Sequence, residues 1–538
     1  METSTERSFS TAGSAAKRSQ ESDIDSSTAS KRTKLDVNEA EHDVTTRRAL
    51  SESAPDSSAV PQKSAANHTD KPKFKKGQRG DKIDRRRGTR REDAEPRNSE
   101  EPKGPRVPKR ACALLMGFCG AGYSGMQFQP GQSVRTIEGV VFDALTRVGA
   151  VSQDNADDPR KVSVIRAART DAGVHAAGNV VSMKLINSIP DLVARVNEEL
   201  PPEIRIWSIL RVQNTFNARL SCDSRKYTYY FPSYMMIPPK PGSGLHQNLQ
   251  QNGTEPPAHP FWATGDPEAD TSVDLRRKRD YRMPPDALES LRATACKFAG
   301  SHNFHNFTFG REFRDRSCFR FMKEISVADP VVFGDTEWVS VMFHGQSFML
   351  HQRKMMSALV LTCRTGSPPE IMDELYGPRM VFVPKMPALG LLLEYPIFET
   401  YKQKIAKFNE KLDPSETDYR LPIDFEAHRE QLDKFKEKCI YPRMREIESE
   451  VGLFDSWMRS IDSYSGNDLL WLNSKGIVPG AAVIQKGVRR ADPFKERKHF
   501  DSTGYPTTTA EKSMSVADEE AEEEEEALDK AKLEDMEG

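Results

Sequence analysis

Residues 164–181 read Val-Ile-Arg-Ala-Ala-Arg-Thr-Asp-Ala-Gly-Val-His-Ala-Ala-Gly-Asn-Val-Val. A largely apolar run at 162–165 predicts a strand on one side of this segment. The β-rich run at 179–185 predicts a second strand on the other side. The polar residues between the two runs, bounded by Gly173, predict a turn. The sequence therefore indicates a strand–turn–strand unit with several charged side chains at its turn.

One carboxyl group, that of Asp171, lies at this turn with Arg166, Arg169 and His175 close to it in sequence. Nearby cations favour the charged form of a carboxyl group, so we expect Asp171 to stay ionised. An Asp that only accepts hydrogen bonds from the backbone of its own turn would give the same local pattern. The residues of the turn alone leave both interpretations open.

The run Arg-Thr-Asp-Ala-Gly-Val-His-Ala at 169–176 resembles the catalytic motif of the TruA-type pseudouridine synthases, most closely their eukaryotic, fungal multisite-specific branch. In that family the Asp acts on uridine, so the resemblance implies that Asp171 is the catalytic residue. It further implies that Arg169, Thr170 and His175 belong to the substrate-binding surface. The implied activity is the isomerisation of uridine to pseudouridine in RNA.

A second matching segment is Arg225-Lys-Tyr-Thr-Tyr229, within a run at 216–231 whose alternating aromatic and polar residues predict a strand. In the family the first Tyr of this pattern stacks on the target base, which maps the role onto Tyr227. We place Arg225 in the substrate-binding set. An aromatic face that receives an unstacked base contributes about 1–3 kcal/mol. Tyrosines at every second position also commonly pack a sheet, so packing is the alternative role.

A third segment, residues 345–359, resembles the family's helix of the pattern G-x-S-F-x-x-H-Q-x-R-K. The resemblance implies that Arg353 pairs with Asp171 and that His351 binds substrate. The chain departs from the pattern, because one residue is missing between Gln352 and Arg353. A deletion in a helix rotates everything after it by about 100°. Arg353 then meets Asp171 only if the helix begins later or contains an irregular turn.

Two more segments bear on cofactors and on the family match. The Gly-rich run at 120–127 lacks the lysine of a phosphate-binding P-loop and the full dinucleotide pattern, but it matches the family's G-x-x-Y-x-G-M/W-Q segment. Residues 381–394 match the family's final strand. Breaking the N1–C1′ bond of uridine and joining C5 to C1′ is redox-neutral, so it requires neither ATP nor a nicotinamide. We therefore expect no cofactor.

The resemblance implies an α+β fold in which two α/β halves share a mainly antiparallel sheet around a basic RNA cleft. We predict a catalytic domain at 108–400, with a surface insertion at 237–280, and a C-terminal helical extension at 401–465. Polar composition predicts disordered tails, one basic and Ser-rich at 1–107 and one acidic at 466–538.

The overall composition excludes several classes of protein. The hydrophobic content is 37% and the formal net charge is -2, but the charge is segregated into basic and acidic blocks. Seven cysteines without a C-x-x-C pair indicate reduced thiols in the cytosol or nucleus. Cys296, His302 and His305 lack the spacing of a zinc site, so no metal is expected. The sequence shows neither a membrane span nor a secretory signal.

Basic clusters in the N-terminal tail predict nuclear localisation. Lys17-Arg18 and Lys31-Arg-Thr-Lys34 are separated by twelve residues, the spacing of a bipartite import signal. Residues 71–91 add eleven Lys or Arg against two Asp. The start of the chain is rich in Ser and Thr but contains Glu2 and Glu6, so an additional mitochondrial pool is the weaker alternative.

A lone ionised carboxylate can start the reaction either as a nucleophile at the sugar or the base, or as a base at C2′, and both roles stay open.

The resemblance implies tRNA substrates, mainly around the anticodon arm, and other nuclear RNAs such as snRNA and mRNA. It is consistent with a monomer. Two alternatives are a catalytically impaired RNA-binding or chaperone protein on the same fold, and an aspartate-based glycosidase. A glycosidase usually needs a second carboxylate, which the motif lacks.

Overall fold

The structure is a computed structural model that describes residues 107–130, 134–264 and 271–485. Ten strands are present among these residues: β1 (Arg110–Phe118), β2 (Ile165–Arg166), β3 (His175–Leu185), β4 (Ile204–Arg211), β5 (Ser224–Pro232), β6 (Gly300–Asn303), β7 (Phe319–Val327), β8 (Val331–Phe333), β9 (Thr336–Gly345) and β10 (Leu391–Ile397). The described α-helices are α1 (Ile137–Arg147), α2 (Leu192–Glu199), α3 (Gly244–Gln251), α4 (Pro260–Ala263), α5 (Thr271–Arg279), α6 (Pro285–Cys296), α7 (Lys354–Thr365), α8 (Ile371–Leu375), α9 (Glu399–Asn409), α10 (Arg429–Phe435), α11 (Tyr441–Val451) and α12 (Leu453–Asp462).

All ten strands form one sheet in the order β4-β1-β3-β10-β5-β9-β7-β6, with β2 paired to β3 and β8 paired to β9. The described strand pairs are antiparallel except β3 with β10, which run parallel at the centre. Leu392 pairs with His175 there, and Leu393 pairs with Ala176. The predicted α+β fold with a mainly antiparallel sheet is therefore confirmed.

Two apolar cores lie against this sheet. One core joins β1, β3 and β4 to α1 and α2, through side chains such as Leu114, Phe142 and Val196. The other core joins β5 and β9 to α6 and α7, and it extends to the C-terminal helices. The start of α1 is fixed by its N-cap, because the Thr136 hydroxyl accepts the N–H of Gly139. The two halves meet at β3, β10 and β5.

The C-terminal helices are tied to the core by buried polar contacts. Arg364 of α7 forms a two-bond ion pair with Asp462 of α12, at 2.6 and 3.0 Å. Trp457 of α12 donates its indole N–H to the carbonyl of Lys385 at 2.6 Å. A π-helical turn, Lys436–Ile440, joins α10 to α11. The helical extension is thus packed on the half of the molecule that contains α7.

The segment predicted to be a surface insertion, 237–280, is mostly packed structure where it is described. It contains α3, α4 and α5, and the side chains of Leu245, Leu249 and Phe261 are buried in the core. Lys278 forms a buried ion pair of 2.6 Å with Asp455 of α12. The sequence does not indicate this packing, because the few apolar residues, two of them four apart on one helical face, are surrounded by Gln, Asn and Pro.

The first part of the segment predicted as an acidic tail contains buried side chains. Residues 466–485 are described, and Leu469, Trp471 and Leu472 are fully or almost fully buried. Trp471 also donates its indole N–H to the carbonyl of Phe382 at 3.0 Å. A short apolar cluster in an otherwise polar stretch anchors this segment. Residues 1–106 and 486–538, where the remaining tail predictions fall, lie outside the described residues.

Three strand predictions were misplaced. The first residue of the apolar run at 162–165 is the last residue of a 3-10 helix, Pro159–Val162. The strand that follows, β2, contains only two residues. The strand predicted over 216–231 begins at Ser224, because 216–223 form a turn. The final strand begins at Leu391 rather than near 381. Each error lies in a segment that borders the site described next.

Candidate active site

The loop that carries Asp171 lies between β2 and β3 and is fixed by its backbone. The carbonyl of Thr170 accepts the N–H of Met126 at 3.1 Å, and the Val174 N–H donates to the carbonyl of Asp171 at 3.2 Å. Gly173 has φ 78°, a left-handed conformation that glycine adopts without steric cost. The Gly-rich segment at 120–127 therefore supports this loop directly.

His175 lies outside the cavity that Asp171 faces. Its ring is fully buried, Nδ1 accepts the N–H of Gly120 at 3.1 Å, and Nε2 lies 3.2 Å from the carbonyl of Leu389. This bonding requires the proton on Nε2, and burial lowers the pKa of His175 to about 4. The predicted substrate contact is corrected to a structural position, in which a neutral imidazole joins three separate segments.

Arg353 reaches Asp171 in spite of the missing residue. Its Nη2 lies 3.1 Å from Oδ2 of Asp171, and Nη1 donates to the carbonyl of Met386 at 2.8 Å. The helix predicted over 345–359 begins only at Lys354, so Arg353 precedes it. His351 has φ 59°, which marks an irregular turn before the helix. The late start and the turn absorb the rotation that the deletion would otherwise impose.

His351 is a second neutral imidazole, and its side chain lines the cavity beside Asp171. Burial lowers the pKa of His351 to about 4, although the charge of Asp171 opposes this shift. Lys385, Arg353 and Lys354 act in the same direction as burial. The ring is therefore uncharged at neutral pH, and it can offer a hydrogen bond to a substrate without adding a positive charge beside Asp171.

Tyr227, in β5, shares the cavity with Asp171. Its ring contacts Phe348 edge to face, with ring centroids 4.7 Å apart and planes at 68°. Burial raises the pKa of Tyr227 to about 12, so its phenol is neutral. Two aromatic rings on opposite segments thus form an apolar wall next to the carboxylate. Phe348 is the Phe of the G-x-S-F pattern at 345–348, but the sequence alone assigned it no role.

The other predicted substrate-binding residues, Arg169, Thr170 and Arg225, line the same cavity and differ in their burial and hydrogen bonding. Arg225 donates to the carbonyl of Ala167 at 2.7 and 3.2 Å and to that of Gln346 at 3.2 Å. It therefore links the segment before Asp171 to the segment before Phe348. The Thr170 hydroxyl is buried and forms no hydrogen bond. Arg169 is half-buried in the same lining. Arg166 instead pairs with Glu138 at 2.6 Å.

The cavity has a volume of about 620 Å³, within the roughly 300–1,000 Å³ of small-molecule sites. Asp171 is the one acidic residue among the described residues that line it, and its side chain is 25% exposed. Six arginines also line the cavity: Arg166, Arg169, Arg219, Arg225, Arg320 and Arg353. One carboxylate among several guanidinium groups suits a substrate that carries phosphates.

Arg219, Leu220 and Arg320 are cavity residues that the motif comparison did not single out. Arg219 and Leu220 lie in the turn that the sequence misread as strand, and Arg320 lies at the start of β7. The interruption of the aromatic alternation before residue 224 is the signal that would have revealed the turn.

Neither a metal cluster nor a membrane helix is found within the described part of the chain. No group of three or more His, Cys, Asp or Glu side chains is arranged there to hold an ion. The ring of His302 stacks on Tyr376, with centroids 4.2 Å apart, and His305 is buried. No helix in the described ranges is long and apolar enough to span a bilayer.

The chain is similar in sequence to known tRNA pseudouridine synthases. A family model described as tRNA pseudouridine synthase matches residues 294–399. The tRNA pseudouridine synthase 1 of Candida glabrata is 39% identical over 430 residues, which cover 71% of this chain and 76% of that protein. The tRNA pseudouridine synthase 1 of Saccharomyces cerevisiae is 38% identical over 410 residues, which cover 68% of this chain and 73% of that protein.

A third relative has a different name. The tRNA pseudouridine(27/28) synthase of Saccharomyces cerevisiae is 39% identical over 323 residues, which cover 54% of this chain and 85% of that protein. The two matches to tRNA pseudouridine synthase 1 thus cover more than two thirds of this chain and of each relative. The chain belongs to the TruA-type tRNA pseudouridine synthase family.

Proposed function

We propose that this chain isomerises uridine to pseudouridine in tRNA, with Asp171 as the catalytic carboxylate. The observation that carries the proposal is the Arg353–Asp171 ion pair in the lining of a cavity that Tyr227 also lines. The reaction breaks the N1–C1′ bond and forms a C5–C1′ bond, and the proton lost from C5 is balanced by one gained at N1. No electron is transferred, and the groups that line the cavity supply what such a reaction needs.

Arg353 acts on Asp171 rather than on the nucleotide. Its side chain is 2% exposed, and one of its nitrogens is engaged by the carbonyl of Met386. A guanidinium in this position favours the ionised form of the carboxylate and fixes its orientation. Asp171 keeps an exposed fraction large enough for contact with a sugar or a base. The neutral ring of His351 completes this side of the cavity.

Tyr227 and Phe348 offer the surface for the uracil. A base inside an RNA stack is inaccessible to a carboxylate, so the target must be extruded, which costs a few kcal/mol. Stacking on an aromatic ring recovers about 1–3 kcal/mol. The phenol of Tyr227 stays neutral because its pKa is about 12, and a neutral ring beside Asp171 adds no charge repulsion.

The arginines of the cavity fit the phosphates on either side of the target. Arg169 and Arg219 are on the lining with exposed or partly exposed side chains. Contacts of this kind are independent of base sequence and weaken as salt rises. A shape- and backbone-directed contact accounts for action at several positions, as the resemblance to the multisite branch implies.

We extend the proposal to uridines around the anticodon arm of tRNA, to other nuclear RNAs such as snRNA and mRNA, and to a nuclear location. One relative named for positions 27 and 28 supports action on tRNA at defined sites. The basic clusters at 17–34 and 71–91 support nuclear import and additional RNA attraction. The catalytically impaired alternative depended on the missing residue, and Arg353 contacts Asp171 without it.

Release of tritium from C5 of labelled uridine in unmodified tRNA tests the activity. Pseudouridine mapping of the product identifies the positions, and the same assay on snRNA and mRNA transcripts tests the wider substrate range. Conversion in tRNA alone would restrict the proposal to tRNA. Absence of tritium release from every RNA, with a folded protein, would refute it.

A further inference from the structure

Four phenylalanine rings are exposed within one short stretch, residues 309–323, which we call the Phe–Arg segment. It reads Phe-Gly-Arg-Glu-Phe-Arg-Asp-Arg-Ser-Cys-Phe-Arg-Phe-Met-Lys. The exposed fractions are 55% for Phe309, 37% for Phe313, 55% for Phe319 and 43% for Phe321. A single exposed apolar residue is ordinary on a protein surface, whereas several exposed apolar residues in one region indicate an interaction surface.

The Phe–Arg segment is also rich in cations. It contains five cationic residues, Arg311, Arg314, Arg316, Arg320 and Lys323, and two acidic residues, Glu312 and Asp315. The carboxylate of Asp315 is engaged within the segment, because it pairs with Arg311 at 3.1 Å and accepts the N–H of Ser317 at 2.8 Å. Arg314 and Arg316 are exposed. Exposed rings interleaved with cations suit a polyanion that carries flat bases, namely single-stranded RNA.

Two of the rings lie next to the catalytic cavity but on the other face of β7. Successive side chains of a strand point to opposite faces, so Phe319 and Phe321 share one face and Arg320 lies on the other. Arg320 lines the cavity that contains Asp171. Phe319 is the first residue of β7, so its ring is separated from the cavity only by the end of the strand. The two rings therefore extend the cationic lining of the cavity past the strand end.

The backbone that carries these rings is fixed by neighbouring segments. The N–H of Phe304 donates to the carbonyl of Cys318 at 2.9 Å, and the Asn303 amide donates to the carbonyl of Phe313 at 2.8 Å. Asn303 also pairs with Phe319 in the register of β6 with β7. A ligand that stacks on rings held in this way orders little additional protein structure, which favours binding.

A second copy of this chain is the other occupant that an exposed apolar surface suggests. The core of an interface between protein copies is depleted in charged residues. In the Phe–Arg segment Arg314 directly follows Phe313, and Arg320 lies between Phe319 and Phe321. This alternation of rings and cations fits bases and phosphates better than it fits an apolar protein interface.

We propose that Phe319 and Phe321 stack on unpaired nucleotides of the RNA that lie outside the catalytic cavity, while arginines of the Phe–Arg segment contact the phosphates of these nucleotides. The inference rests on the proposed function and extends the RNA contact beyond the target uridine. Stacking of this kind tolerates any base, because every base has a π-face. The surface would therefore add affinity for RNA without selecting a sequence.

The test measures the dissociation constant of the full chain for oligoadenylate, which contains no uridine. The main variant is Phe319→Leu with Phe321→Leu, because leucine keeps an apolar side chain but has no aromatic face. We expect this double variant to bind about tenfold or more weakly than wild type. Phe319→Tyr with Phe321→Tyr keeps both rings and should stay within about twofold of wild type. Equal melting temperatures establish that the variants are folded.

A matched control substitutes a ring of equal exposure elsewhere. Phe408 of α9 is 42% exposed and lies outside the cavity lining, so Phe408→Leu should bind oligoadenylate like wild type. Ultraviolet crosslinking followed by mass spectrometry should place oligoadenylate on the peptide that contains residues 319 and 321. An unchanged dissociation constant in the double leucine variant, or crosslinks confined to peptides of the cavity, would overturn the inference.

Two further measurements separate this inference from its alternatives. If wild type sediments as a dimer and the double leucine variant binds oligoadenylate like wild type, the rings belong to an interface between copies and the proposal is wrong. Pseudouridine formation in tRNA by wild type is measured in parallel. Conversion of tRNA together with ring-independent binding rejects this inference alone, whereas ring-dependent binding without any conversion supports it and rejects the proposed function.

Discussion

Arg353 and Asp171 are separated by 182 residues in the chain, and their side chains lie 3.1 Å apart. Arg353 reaches this position from the last residue before α7, not from within the helix. The left-handed backbone of His351 redirects the chain just before it. The pairing therefore depends on an irregular turn in a segment that is one residue shorter than the pattern it resembles.

The ring of Tyr227 should matter for catalysis and its hydroxyl should not. Phenylalanine keeps the aromatic face and the edge-to-face contact with Phe348, whereas leucine removes the stacking of about 1–3 kcal/mol. We expect Tyr227→Phe to stay within about threefold of the wild-type kcat/KM and Tyr227→Leu to lose about tenfold or more. Single-turnover rates on tRNA check this. Equal rates for wild type and Tyr227→Leu would remove Tyr227 from the site.

The left-handed backbone at His351 predicts a difference between two variants that both lack the ring. Glycine adopts φ near 60° freely, whereas alanine there costs about 1 kcal/mol. We expect His351→Gly to have a larger free energy of unfolding than His351→Ala by about this amount. Urea denaturation measures it. Identical midpoints and slopes for the two variants would show that the turn relaxes without strain.

Buried His175 predicts an acid-dependent loss of stability. Burial lowers its folded-state pKa to about 4, below the ordinary value of 6.5, so between these values the unfolded chain binds a proton that the folded protein does not. The free energy of unfolding therefore falls as pH drops from 6.5 to 4, by up to about 1.4 kcal/mol per pH unit for this group. Above pH 6.5 this contribution is constant.

Replacement by glutamine tests the contribution of His175. His175→Gln can accept from Gly120 and donate to Leu389 but does not titrate, so its stability should fall less steeply between pH 6.5 and 4. His428→Gln, at a partly exposed position outside the cavity, is the control and should keep the wild-type slope. A slope for His175→Gln as steep as that of wild type would contradict the assignment.

Removal of residues 1–106 should separate catalysis from localisation. The described sheet begins at Arg110, so the truncated protein keeps every residue of the cavity. We expect its rate on tRNA in vitro to stay within about threefold of the full chain at moderate salt, with a shallower salt dependence. Nuclear fluorescence of a tagged version should disappear. A tagged truncation that still accumulates in the nucleus would refute the import prediction.

The sequence predicted the parts of the site that lie in one continuous motif. The turn at Asp171 and the strand after it follow from local polarity and periodicity, and the resemblance added the catalytic role of Asp171 and its pairing with Arg353. Local pattern could not place His175, because its hydrogen-bond partners Gly120 and Leu389 are remote from it in sequence. Side-chain direction in a bent loop depends on contacts that are remote in sequence.

The errors in the fold have the same physical origin. Leu245, Leu249 and Trp471 are sparse apolar residues in polar segments, so composition predicts a surface loop or a tail. Their burial becomes favourable only because α12 and the preceding helices offer a surface to cover. The turn before β5 was misread because its aromatic residue Phe216 was grouped with the aromatic residues of the strand, whereas it packs on Tyr401 of α9.

The central claim is that Asp171 performs the reaction on uridine in tRNA. The most direct measurement is a single-turnover assay of pseudouridine formation in unmodified tRNA, with wild type beside Asp171→Asn and with tRNA affinity measured for both. The account predicts conversion by wild type, no detectable conversion by Asp171→Asn, and tRNA binding in both. Conversion by Asp171→Asn at the wild-type rate, or tight binding without conversion by wild type, would contradict it.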